Sequence, residues 1–142
     1  MDSDLRREII LDNFSNPENR ETVDDKRYIY VNSNNESCID NIDIWVLIEE
    51  GIVKDVKFNG EACAISTAST SIMTKELIGK TIEDAEKFIE NFENMIHERP
   101  YDSEILNEAN AFDEIYKQAN RKTCAILPYT GFKKVISKYK EN

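Results

Sequence analysis

The chain has 142 residues and a net charge of −10, from 18 basic and 28 acidic side chains; that length fits one domain over residues 1–142. Its 40% hydrophobic and 32% charged content is that of a globular protein with a packed core, which excludes a disordered chain. Acids spread along the whole sequence repel a phosphate backbone and exclude nucleic acid as a partner, and no window nears the ~18 apolar residues of a membrane span.

The start, Met1-Asp2-Ser3-Asp4-Leu5-Arg6-Arg7-Glu8, is charged and lacks the apolar run of a secretory signal. A cytoplasmic location is therefore expected. Leu5, Ile9, Ile10 and Phe14 recur at helical spacing up to Asn16-Pro17, which predicts a first helix from about Ser3 to Ser15. A polar connection follows, from Glu18 to Arg27. The period then changes to two: Tyr28 and Tyr30; Ile42, Ile44, Val46 and Ile48; Val53, Val56 and Phe58. Glu49-Glu50-Gly51 is a tight-turn signal, so the second and third runs should pair as an antiparallel hairpin.

Around Cys63 a run of small residues from Ala62 to Ser71 leads into Ile72, Met73, Leu77 and Ile78 at helical spacing, closed by Gly79. Thr81-Ile82-Glu83-Asp84 opens a further helix over roughly 82–97. Ile105, Leu106, Ala109, Phe112, Ile115 and Tyr116 suggest one more helix between residues 102 and 120. A terminal amphipathic helix is expected after Pro128. The order is that of an α+β fold: an N-terminal helix, a small three-stranded antiparallel sheet, then several C-terminal helices.

Chemistry concentrates at Cys38, Cys63 and Cys124. Cys38 lies in the loop between the first two strands, with Asp40 two residues on. Cys63 joins the third strand to a helix, a place where backbone N–H groups and the helix dipole stabilise a thiolate. An odd number of cysteines in a reducing compartment argues against a disulfide framework. No Cys-x-x-Cys knuckle is present, so a zinc-finger reading fails on spacing. Taken alone, the cysteines leave open a metal site, thiol chemistry or three incidental buried thiols.

The segment Gly60-Glu61-Ala62-Cys63-Ala64-Ile65-Ser66-Thr67-Ala68-Ser69-Thr70-Ser71-Ile72-Met73-Thr74, followed by Gly79-Lys80-Thr81, resembles the signature of the U-type iron–sulfur cluster assembly proteins: the IscU, SufU and NifU amino-terminal family. Asn16-Pro17-Glu18-Asn19 resembles that family's motif after its first helix, Cys38-x-Asp40 its Cys-Gly-Asp, and Cys124-Ala125 its third cysteine. The long gap between Cys63 and Cys124 and the helical stretch around residues 100–120 resemble the SufU branch. IscU-type chains carry histidine where this chain has Thr123. The single histidine, His97, reads as a surface residue, and the chaperone-recognition motif of IscU-type chains is absent. Two departures stand out: Ile39 replaces the usual glycine between Cys38 and Asp40, and Arg20 the glycine after Asn-Pro-x-Asn.

The resemblance implies a SufE/NifU-like fold and a metal site of Cys38, Asp40, Cys63 and Cys124. Three thiolates and a carboxylate suit Zn²⁺, and leave the loaded site at a charge of about −2. Arg121 and Lys122 could offset that charge. By resemblance the protein is a sulfurtransferase-like carrier that activates a PLP-dependent cysteine desulfurase of the SufS type, with Cys38 as acceptor and Arg121 as the positive partner of Asp40. It also admits a SufB/C/D-type scaffold as a further partner. The alternative is a scaffold on which a [2Fe–2S] cluster is assembled on the same four residues.

Overall fold

In the computed structural model, residues 1–35 and 39–141 are described; Glu36, Ser37, Cys38 and Asn142 lie outside the described residues. Helix α1 (Ser3–Ser15) starts at Asp2, whose carboxylate accepts the Leu5 N–H as an N-cap. Strands β1 (Ile29–Asn34), β2 (Asn41–Glu49) and β3 (Ile52–Glu61) form an antiparallel sheet in the order β1-β2-β3. Glu50 and Gly51, with φ of 55° and 74°, make the predicted tight turn between β2 and β3.

Helices α2 (Ala64–Leu77), α3 (Ile82–Ile96) and α4 (Ala119–Glu141) complete the chain with three short 3₁₀ turns, Ser103–Ile105, Asn107–Phe112 and Ile115–Lys117. α4 lies against β1 and β2, α2 against β3, and α1 and α4 both pack on α2. Val31, Ile42, Ile44, Val46, Val53, Val56 and Phe58 supply the sheet's side of a buried cluster that Ile72, Met73, Phe88, Phe92, Tyr129 and Phe132 close from the helices. Among the described residues, no helix is long and apolar enough to cross a membrane.

Two expectations need correction. Residues 102–120 do not form one α-helix. Leu106, Ala109, Phe112 and Ile115, buried there along with Ala111, recur every third position, the period of a 3₁₀ helix, and Asn107 at φ 47° interrupts the run. The last helix does not begin after Pro128 but runs through it from Ala119. A mid-helix proline removes the N–H that the carbonyl four residues back would accept, and its ring crowds that turn. Here the carbonyls of Cys124 and Ala125 face hydroxyls of α2 instead: Ser66 Oγ at 3.1 Å and Ser69 Oγ at 2.7 Å. The small-residue run of α2 therefore supplies donors as well as close packing.

Candidate metal centre

Three elements meet at one end of the sheet. Asp40 leads into β2, Cys63 caps α2, and Cys124 lies in the second turn of α4. Gly60, near the end of β3, sets the first approach: it has φ 122°, and a Cβ on it would collide with the carbonyl oxygen of Asn41. β3 can therefore close onto the start of β2 where Asp40 sits. Arg20 reinforces this corner, donating to the Gly60 carbonyl at 2.9 Å while its backbone bridges to Phe58. Asn19, at φ 62°, bonds through its side chain to Thr74 at 2.9 Å and Lys57 at 3.1 Å. The Asn-Pro-x-Asn segment thus ties the chain after α1 to α2 and β3, and arginine serves at the position of the family's usual glycine.

The donor atoms of Asp40, Cys63 and Cys124 lie within 4.8 Å of one another, with Cys63 Sγ 3.8 Å from Asp40 Oδ2. A zinc tetrahedron with Zn–S of about 2.3 Å and Zn–O of about 2.0 Å sets its donors roughly 3.5–3.8 Å apart. The three groups need close by no more than about 1 Å to meet that geometry, and two sulfurs with one oxygen are donors zinc accepts. They fit the ion. Cys38, the fourth expected ligand, lies outside the described residues, so the structure brings together three of the four.

Asp40 is 1% exposed. Its Oδ1 accepts the backbone N–H of Cys63 at 2.7 Å, and its Oδ2 accepts from Ser66 Oγ at 2.5 Å. Cys63 is the N-cap of α2, its Sγ accepting the Ser66 N–H at 3.4 Å. Burial first, then the neighbouring Cys63 and Asp40, push the Cys124 thiol up to about 12, so metal-free protein holds its proton at neutral pH. Arg121 is exposed in the first turn of α4, three residues before Cys124 and on the same helix face. Among the described residues it makes no ion pair, with Asp40 or otherwise. Ile39 is 71% exposed and is not among the residues with positive φ. Its place does not demand glycine. His97 is exposed at the C-cap of α3 and outside the cluster.

Sequence reasoning passed over Ser66, which touches Asp40, Cys63 and the Cys124 carbonyl together. A signal was present: Cys63-x-x-Ser66 has the N-cap to N3 spacing of a capping box.

A family model for the NifU-like N-terminal domain matches residues 5–142. The chain belongs to that family. Its curated relatives include the zinc-dependent sulfurtransferase SufU of Bacillus subtilis, 36% identical over 135 residues, covering 94% of this chain and 90% of the relative. The iron–sulfur cluster assembly scaffold protein IscU of Thermotoga maritima is 34% identical over 131 residues, covering 92% of each. Among solved structures, a protein of Fervidobacterium islandicum described as an iron–sulfur cluster assembly scaffold for the SUF system superposes with a TM-score of 0.85 at 29% identity, covering 89% of this chain and 92% of that one. A NifU-like N-terminal domain from Brucella abortus superposes with a TM-score of 0.87 at 18% identity, covering 99% and 97%, a likeness of fold. The family is one of iron–sulfur cluster assembly proteins, and the α+β fold expected from the sequence is its fold.

Proposed function

We propose that the protein is a zinc-dependent sulfur acceptor, taking persulfide sulfur from a PLP-dependent cysteine desulfurase of the SufS type for iron–sulfur cluster assembly. The observation that carries this reading is the convergence of Asp40, Cys63 and Cys124 from three elements, in a chain similar along most of its length to a protein named a zinc-dependent sulfurtransferase. Cys38, Asp40, Cys63 and Cys124 hold the ion. Bound zinc supplies a Lewis acid that keeps its ligand thiols deprotonated at neutral pH.

The chain's own residues do the rest. A ligand from the desulfurase displaces Cys38, and its freed thiolate attacks the outer sulfur of the desulfurase persulfide. A new S–S bond forms on Cys38, the desulfurase S–S bond breaks, and the desulfurase cysteine leaves as a thiolate, with no net oxidant or reductant. Cys63 and Cys124 anchor the site from the starts of α2 and α4. Asp40, an oxygen donor among sulfurs, is the ligand that exchanges, and Arg121 supplies the positive charge that pairs with it when free. A SufB/C/D-type scaffold is the proposed receiver downstream.

The test is desulfurase turnover with and without this protein. Wild-type chain raises it and Cys38→Ala does not; unchanged turnover with wild type refutes the reading. A second reading makes the four residues a scaffold carrying a [2Fe–2S] cluster as cargo. It is favoured by the similarity to proteins named scaffolds and by thiolate donors that suit the cluster. Metal analysis separates the two: one zinc per chain and no chromophore supports transfer, whereas iron with sulfide supports the scaffold.

A further inference from the structure

Ser66 is fully buried at the third position of α2. Its hydroxyl has one proton and stands within reach of three groups: Asp40 Oδ2 at 2.5 Å, the Cys124 carbonyl at 3.1 Å and Cys63 Sγ at 3.5 Å. A carboxylate is a stronger acceptor than a neutral carbonyl, so the proton goes to Asp40. The Cys124 carbonyl is within reach because Pro128, four residues on, has no N–H to give it.

We propose that Ser66 is the positioning residue for Asp40, holding the carboxylate towards Cys63 and Cys124. The inference rests on the reading of Asp40, Cys63 and Cys124 as metal ligands. With Ser66 on Oδ2 and the Cys63 N–H on Oδ1, both carboxylate oxygens have protein donors before any metal arrives, so the ligand is oriented in advance.

Ser69 gives the matched control. It is equally buried, one turn further along α2, and donates to the Ala125 carbonyl at 2.7 Å, and among the described residues it has no ligand side chain as partner. The experiment measures zinc affinity of the full chain by competition with a chromophoric chelator, together with hydrogen exchange of the Cys63 amide in metal-free protein. Ser66→Ala should weaken zinc binding by about 10–100-fold and speed exchange of the Cys63 amide, while Ser69→Ala leaves both unchanged. In an Asp40→Ala background, Ser66→Ala should add no further loss of affinity. Wild-type zinc affinity in Ser66→Ala, or an equal loss in the Asp40→Ala background, overturns the proposal. If the wild-type chain takes up no zinc, or Asp40→Ala binds as well as wild type, the ligand reading fails instead. The Cys63 amide then still decides: faster exchange in Ser66→Ala alone upholds Ser66's hold on the carboxylate, and unchanged exchange overturns it.

Discussion

Replacing Asp40 by asparagine or by alanine separates its hydrogen-bonding role from its charge. In metal-free protein the carboxylate accepts from the Cys63 N–H at 2.7 Å and from Ser66 Oγ. Asn at this position keeps a carbonyl oxygen for the Cys63 N–H. Its amide can donate to Ser66 Oγ while the Ser66 proton turns to the Cys124 carbonyl, 3.1 Å away. Every group retains a partner. Ala keeps none of this: Ser66 still has the Cys124 carbonyl, but the Cys63 N–H is left without an acceptor, at a cost of about 1–3 kcal/mol. Asp40→Asn should therefore be more stable than Asp40→Ala by that amount, a gap of roughly 3–10 °C in Tm for a chain of this size. Thermal unfolding followed by circular dichroism in the presence of a chelator measures it. Both variants should bind zinc more weakly than wild type, since neither presents a carboxylate. Equal melting temperatures, or Asp40→Ala the more stable, refute the hydrogen-bonding account.

Zinc uptake should release protons, because the Cys124 thiol is pushed up to about 12 by burial and by its neighbours Cys63 and Asp40. Affinity then rises with pH, by about tenfold per pH unit for each proton displaced, and titrations across the neutral range that show no slope contradict this. Tyr28 donates to Asp55 at 2.6 Å, and that bond, with burial second, raises the phenol to about 12. Because the folded value lies above the unfolded one, this contribution is complete below pH ~10 and lost as the pH rises towards ~12; denaturant midpoints should fall over that window in wild type and less in Tyr28→Phe. Tyr129 OH is buried without a hydrogen-bond partner among the described residues, while its ring stacks on Phe92 with centroids 4.1 Å apart. Tyr129→Phe should be neutral or stabilising by up to about 1 kcal/mol in chemical denaturation, and a clear loss refutes the assignment. A Cβ on Gly131 would stand 2.7 Å from Ile44 Cδ1 and 3.0 Å from Ser33 Cβ, so Gly131→Ala should cost about 1–3 kcal/mol in chemical denaturation as the buried Ile44 tip and Ser33 shift to make room.

Elements with one strong local signal were legible in the sequence. The first helix has its predicted bounds, Ser3–Ser15, because an aspartate cap and a proline stop frame its apolar spacing. The β2–β3 hairpin follows from alternation on either side of Glu50-Gly51. The failures share a cause: the deciding partners lie far away in the chain. Pro128 reads locally as a helix boundary, and only Ser66 and Ser69 on another helix show where the Cys124 and Ala125 carbonyls turn. Leu106, Ala109, Phe112 and Ile115 read as a loose α-helical stripe, although their spacing of three is that of the 3₁₀ turns in which Ala109, Phe112 and Ile115 lie. At the site, resemblance pointed to the ligands; the meeting of Asp40, Cys63 and Cys124 is a property of the fold. Ser66 was hidden because a serine in a run of small residues looks like packing.

Single-turnover transfer from a desulfurase loaded with sulfur-radiolabelled cysteine tests the central claim most directly. Label should appear on Cys38 of the wild-type chain and be absent from Cys38→Ala. Label that stays on the desulfurase with wild type, or that reaches the Cys38→Ala variant equally well, contradicts the account.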